Sequence, residues 1–161
     1  MADEFENYRK PDKSIDWGKY YGERLREDLE TPEKKIIELE DMHIFKLADE
    51  LSDYVWNVVQ QWDWFVKKTI GDQLVRSADS IAANIAEGYG RYFFGEYAVF
   101  LYYARGSLYE TKVWVEKAKR RGLLKDGEYE YIIERVNRLP KELNAVIKNI
   151  KFQQKKYIKK W

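Results

Sequence analysis

The stretch Asp41–Phe65, DMHIFKLADELSDYVWNVVQQWDWF, decides the fold class. Within it Ile44, Leu47, Leu51, Val55, Val58, Trp62 and Phe65 follow one another at steps of 3, 4, 4, 3, 4 and 3. At 3.6 residues per turn this spacing draws a single apolar stripe along about six turns of α-helix, with Asp41 placed to cap the start. No strand-length segment alternates cleanly between apolar and polar residues, so helical periodicity governs the chain from residue 41 onward.

Three more helices follow from the same reading. A second is expected from about Thr69 to Glu87, where Thr69 and Asp72 have the spacing of a capping box. Its inner side is small, with Ala78, Ala82, Ala83 and Ala86 beside Leu74, Ile81 and Ile85. Gly88 and Gly90 are expected to stop it in the left-handed conformation that glycine tolerates. A third runs from about Phe94 to Arg121 with one stripe of Tyr97, Leu101, Ala104, Leu108 and Val115, and Gly122 ends it. A second stripe on that helix holds Phe93, Phe100, Tyr103 and Trp114. Two apolar stripes exceed what a small core needs, so Tyr97, Phe100, Tyr103 and Trp114 are expected at a subunit interface. The fourth helix starts at Asp126, with Ile132, Val136, Leu139, Leu143, Val146 and Ile150 at coiled-coil steps and Pro140 expected to bend it. Four amphipathic helices on short connections make an all-α, up-and-down antiparallel four-helix bundle over residues 41–161. Residues 1–40, with Pro11, Gly18, Gly22 and the proline-started turn at Thr31-Pro32-Glu33, read as an irregular N-terminal arm.

The 161 residues have the length of one domain, and 45% hydrophobic content is ample for one core. The absence of cysteine excludes disulfides, thiolate zinc sites and iron–sulfur clusters. No membrane span and no signal-peptide pattern is present, so a cytoplasmic location is expected. The net charge of +1 conceals an asymmetry. Residues 1–53 carry 16 acids and 9 bases, a net of −7, and residues 54–161 carry 12 acids and 20 bases, a net of +8. The last fourteen residues, 148–161, hold six lysines and no acid, a pattern that points to a polyanionic partner or to pairing between the two halves.

Catalytic chemistry finds little support. A di-metal bundle needs two Glu-x-x-His motifs, and Glu40 with His43 supplies one. Ser77, Ser80 and Ser107 have no histidine base on a neighbouring helix, and Gly88-Tyr89-Gly90 follows no strand, so it is no phosphate loop. Neither a metal nor another cofactor is expected, and the protein is read as a non-enzyme. The polar residues of the second and third helices instead suggest a register-fixing network of Arg76, Ser80, Asn84, Glu87, Ser107 and Glu110. If facing positions of these helices add to about 183, Arg76 pairs with Glu110, and Glu87 approaches Glu96. Basic residues interleaved with aromatics suggest nucleic-acid contacts from Lys67, Lys68, Arg91, Arg105, Lys112, Lys119, Arg120, Arg121, Lys155 and Lys156, with Tyr89, Tyr92, Phe93 and Phe94 near Arg91.

Two stretches carry a family resemblance. Gln73–Arg91, QLVRSADSIAANIAEGYGR, and Tyr103–Thr111, YARGSLYET, resemble the two signatures of the bacterial four-helix-bundle proteins encoded in intervening sequences of large-subunit ribosomal RNA genes. The similarity covers about residues 41–150. It implies a bundle that assembles as a homopentamer, and it supplies no activity. The family is similar to the accessory protein of diversity-generating retroelements, a pentameric basic bundle that binds nucleic acid and a reverse transcriptase. By that analogy the expected role is RNA binding or ribonucleoprotein scaffolding, with RNA or a nucleic-acid enzyme as partner. The alternative is a structural protein–protein interaction module that binds no nucleic acid.

Overall fold

The computed structural model describes residues 38–91 and 93–158. The expected arm of residues 1–40 falls mostly outside them, as do Tyr92 and the side chain of Lys156. A 3-10 turn at Leu39–Asp41 leads into α1 (His43–Val59). A one-turn helix (Trp64–Val66) and a π-helical turn (Lys67–Gly71) lead into α2 (Asp72–Tyr89). The remaining helices are α3 (Phe94–Arg120) and α4 (Asp126–Ile158). Each helix packs on the next, and α4 returns to α1, which closes an up-and-down four-helix bundle.

The stripes meet at the bundle axis. Leu51 and Val55 of α1, Leu74, Ile81 and Ile85 of α2, Leu101 and Leu108 of α3 and Ile132, Leu139 and Leu143 of α4 are all removed from water. Full burial of each such side chain contributes roughly 1.5–3 kcal/mol before chain entropy is opposed to it. Near the end of α4 the buried sequence runs Leu143, Ile147, Ile150, with Val146 at the edge. A straight helix at 3.6 residues per turn drifts off a strict seven-residue repeat, so the expected step to Val146 gives way to Ile147. The helix continues through Pro140.

Register is antiparallel and readable from cross-helix contacts. Between α2 and α3, Ser77 meets Thr111, and a Cβ on Gly88 would meet Phe100. Both pairs of positions add to 188, five residues away from the expected 183. Between α3 and α4, Arg105 meets Asn144 and Lys112 meets Asn137, and each pair adds to 249. Tyr54 of α1 stacks on Tyr131 of α4 with ring centroids 3.9 Å apart.

Several helix ends differ from expectation. α1 stops at Val59, two turns short of the expected stripe. Asp41 does not cap it; its carboxylate meets Lys46 Nζ at 3.3 Å. Asp63 is the unexpected cap, accepting the Val66 N–H at 3.0 Å. Thr69 forms no capping box, because its hydroxyl donates back to the carbonyls of Phe65 and Val66. Gly88 and Gly90 adopt no left-handed conformation; among the described residues only Gly122 has a positive φ, at 68°. There the Leu123 N–H reaches the Ala118 carbonyl and the Gly122 N–H that of Lys119, a Schellman motif. Asp126 pairs with Lys119, and Glu128 Oε2 takes the Lys125 N–H at the start of α4.

Candidate nucleic-acid interface

The break after α1 builds the candidate site. Once the helix stops at Val59, residues 60–63 turn the chain, and the Asp63 cap starts a fresh turn in a new direction. Trp62 then lies against Gly71, where an added Cβ would come within 3.6 Å of the indole and 2.9 Å of Val59 Cγ1. Trp64 and Phe65 are swung outward and are 73% and 68% exposed. Phe65, expected at the end of the first core stripe, is therefore a surface residue. Its misplacement has a physical reason: the 3-and-4 spacing survives a helix break that only the Asp63 cap reveals. The π-helical turn that follows inserts one residue per turn and re-aims Lys67 and Lys68.

The α2–α3 register brings Lys67 and Lys68, just before α2, to the same end of the bundle as Arg120 and Arg121, at the end of α3. None of these four cations forms an ion pair among the described residues. The acids nearest to them in sequence are already engaged. Asp63 accepts a backbone N–H, Asp72 lies 3.8 Å from Arg76, Glu116 accepts from the Tyr129 hydroxyl, Asp126 pairs with Lys119 and Glu128 with Lys125. The Lys119 ammonium holds the Asp126 carboxyl below the usual carboxylate range by hydrogen bonding and charge. The result is a cationic end with two exposed aromatic rings.

The other expected cations separate from this group. Arg105, Lys112 and Lys119 lie seven residues apart on the side of α3 that faces α4. They donate there to Asn144 at 3.0 Å, to Asn137 at 2.8 Å and to Asp126. They seam two helices of one chain: Arg105 and Lys112 each commit one donor to a neutral amide and keep their charge, and Lys119 is paired with a carboxylate. Arg91 pairs with Glu87 and lies 4.6 Å over the Phe100 ring. Lys155 is exposed near the end of α4, at the opposite end of the bundle, where Lys151 and Arg105 flank the Tyr102 ring. A different surface, across α1 and α2, is acidic. Burial raises the Asp79 pKa above the usual carboxylate range, and the charges of Asp53 and Asp49 raise it further.

The expected polar network between α2 and α3 is absent. Arg76 is an exposed partner of Asp72 on its own helix, and Glu110 accepts from the Trp114 indole at 3.3 Å. Asn84 donates to the Ser80 carbonyl, Ser107 to the Tyr103 carbonyl, and Glu87 serves Arg91. The five-residue register difference separates the residues that were expected to meet, and Glu87 does not face Glu96. The cross-helix bond belongs to a pair that sequence reasoning missed: Thr111 Oγ1 to Ser77 Oγ at 3.1 Å, buried. A signal for it existed, since the α3 stripe skips from Leu108 to Val115, and Thr111 fills the gap.

The α3 residues expected at a subunit interface also divide. Tyr97 packs within its own chain, against Gly88 and with its hydroxyl 3.9 Å from the Met42 sulfur; burial pushes its pKa up to about 12. Phe100 is half-buried beside Gly88, and Trp114 is half-buried under Lys117. Tyr103 remains exposed, as do Tyr109 and Val113 on the outer side of α3. His43, exposed, lies 3.0 Å from Arg138 and 3.9 Å from Glu142. Among the described residues no group of three or more histidine, aspartate or glutamate side chains is placed to hold a metal ion, and no helix is long and apolar enough to cross a membrane.

The family model described as 23S rRNA-intervening sequence protein matches residues 40–145, which include α1, α2, α3 and most of α4. The chain belongs to this family. A crystal structure of a protein of unknown function from the S23 ribosomal protein family of Bacteroides thetaiotaomicron is similar, with a TM-score of 0.59 and 24% identity. The match covers 65% of this chain and 98% of that one, and it supports the fold. No curated protein matches the chain.

Proposed function

We propose that this family member is a non-enzymatic, self-associating bundle that holds RNA at the end formed by Lys67, Lys68, Arg120 and Arg121. The observation that supports the reading is that these four cations share one end of the bundle without an acidic partner among the described residues. Phosphate contacts draw affinity from counterion release, and a cation already neutralised by a carboxylate, as Arg91 is by Glu87 and Lys119 by Asp126, releases little. The outer side of α3, with Tyr103, Tyr109 and Val113 exposed, is the surface on which self-association, a homopentamer by family resemblance, would rest.

The test is binding of a random RNA pool at two salt concentrations, with the native mass measured in parallel. Each phosphate contact contributes about −0.7 to the slope of log affinity against log salt on single strands. Replacing Lys67, Lys68, Arg120 and Arg121 by glutamine should flatten the slope by up to about 3. Wild-type protein without salt-dependent RNA affinity sinks the reading. The second reading is a structural protein–protein interaction module that binds no nucleic acid, and it takes first place if that affinity is missing.

A further inference from the structure

We infer that the cationic end selects unpaired RNA over duplex, because Trp64 and Phe65 offer rings on which bases stack. The inference rests on the RNA reading above and adds the class of strand. Only Val66 separates the two rings from Lys67 and Lys68 in the chain, so stacking surface and phosphate-binding charge lie on consecutive turns. Both rings are largely exposed, yet the backbone beneath them is tied down. Asp63 Oδ1 caps the turn at 3.0 Å, the Thr69 hydroxyl bonds to the Phe65 carbonyl at 2.9 Å, and Trp62 is seated against Gly71. Large rings held in water on an ordered turn are a preformed platform, which loses little conformational freedom when a ligand covers it.

Duplex RNA keeps the faces of its bases inside the helix, so side-chain rings reach them only in single-stranded or unstacked segments. Base–aromatic stacking tolerates any sequence, because every base has a π-face. The charge at this end fits phosphate, and the rings fit bases, so the two features match the two parts of one ligand. An anionic lipid surface fits less well. Interfacial membrane helices present a long apolar side with lysines opposite, whereas these rings stand on a one-turn helix.

The experiment compares the full chain's affinity for a 12-nucleotide oligo(U), a 12-base-pair RNA duplex and phosphatidylserine-containing vesicles at one salt concentration. The single strand should bind about tenfold more tightly than the duplex. The double variant Trp64→Ala/Phe65→Ala should lose that preference while keeping its salt slope, and Trp64→Phe/Phe65→Tyr should restore it. Both positions are exposed, and a circular-dichroism melt of each variant confirms the fold. Equal salt-dependent binding of strand and duplex overturns the stacking inference and leaves the RNA reading standing. So does a preference that survives Trp64→Ala/Phe65→Ala. Binding to vesicles with none to either RNA overturns both.

Discussion

Gly88 and Gly106 invite the same substitution, glycine to alanine in a helix, and the structure assigns them opposite signs. An alanine Cβ at Gly88 would lie 2.8 Å from Phe100 Cβ and 2.8 Å from Tyr97 Cδ2. The tyrosine ring can tilt, but a Cβ is fixed to its backbone, so α2 and α3 must separate. Overpacking of this kind typically costs about 1–3 kcal/mol. The helix gains roughly 0.5–1 kcal/mol from alanine, and the lower figure applies here because Gly88 sits in the last turn of α2. The net expectation is a loss of about 1 kcal/mol, or a Tm lower by ~4 °C for a bundle of this size. At Gly106 an added Cβ meets nothing of its own chain within 4 Å, so within one bundle only the helix gain remains, and Tm should rise by ~2–4 °C. The assay is thermal unfolding followed at 222 nm, with both variants at the wild-type protein concentration because self-association couples Tm to concentration. Gly88→Ala as stable as Gly106→Ala would refute the close α2–α3 approach. A Gly106→Ala variant that lowers Tm instead of raising it would show that a second copy covers the outer side of α3.

Other expectations follow from single side chains. Arg76→Ala should change stability by less than about 0.5 kcal/mol in urea unfolding, because its partner Asp72 is an exposed neighbour on the same helix; a loss of several kcal/mol would revive a buried pair. Thr111→Val, which keeps the shape but deletes the hydroxyl's bonds to Ser77 and to the Ser107 carbonyl, should cost about 1 kcal/mol by the same measurement, and no change would make the hydroxyl dispensable. Tyr97 sets an alkaline limit. Its folded pKa of about 12 exceeds the unfolded value near 10, so its contribution is intact below pH 10 and is lost as pH rises toward 12. With part of the ring in water, the loss is on the order of 2 kcal/mol or less, and Tyr97→Phe should flatten the fall in stability measured between pH 9.5 and 11.5.

Sequence alone determined the fold class, because a bundle core is written in a local code. Steps of three and four place Leu51, Ile81, Leu101 and Leu139 on inward stripes whatever lies opposite them, and burial of those stripes is all that the four-helix arrangement requires. Gly122 was legible for the same reason: a helix end is a short-range event with its own residue preference. Register was not local. Whether Arg76 meets Glu110 or Ser77 meets Thr111 depends on how two helices slide past each other by about one turn, and side chains on an exposed face do not report that displacement. The candidate site was half legible. Lys67, Lys68, Arg120 and Arg121 could be named from charge, but so could Arg105, Lys112 and Lys119, and only packing against Asn144, Asn137 and Asp126 divided the two groups. Trp64 was not singled out, and Phe65 was assigned to the core. An apolar stripe records where a helix would bury its residues if it continued, and the tertiary structure decided, through the Asp63 cap and the break after Val59, that it does not.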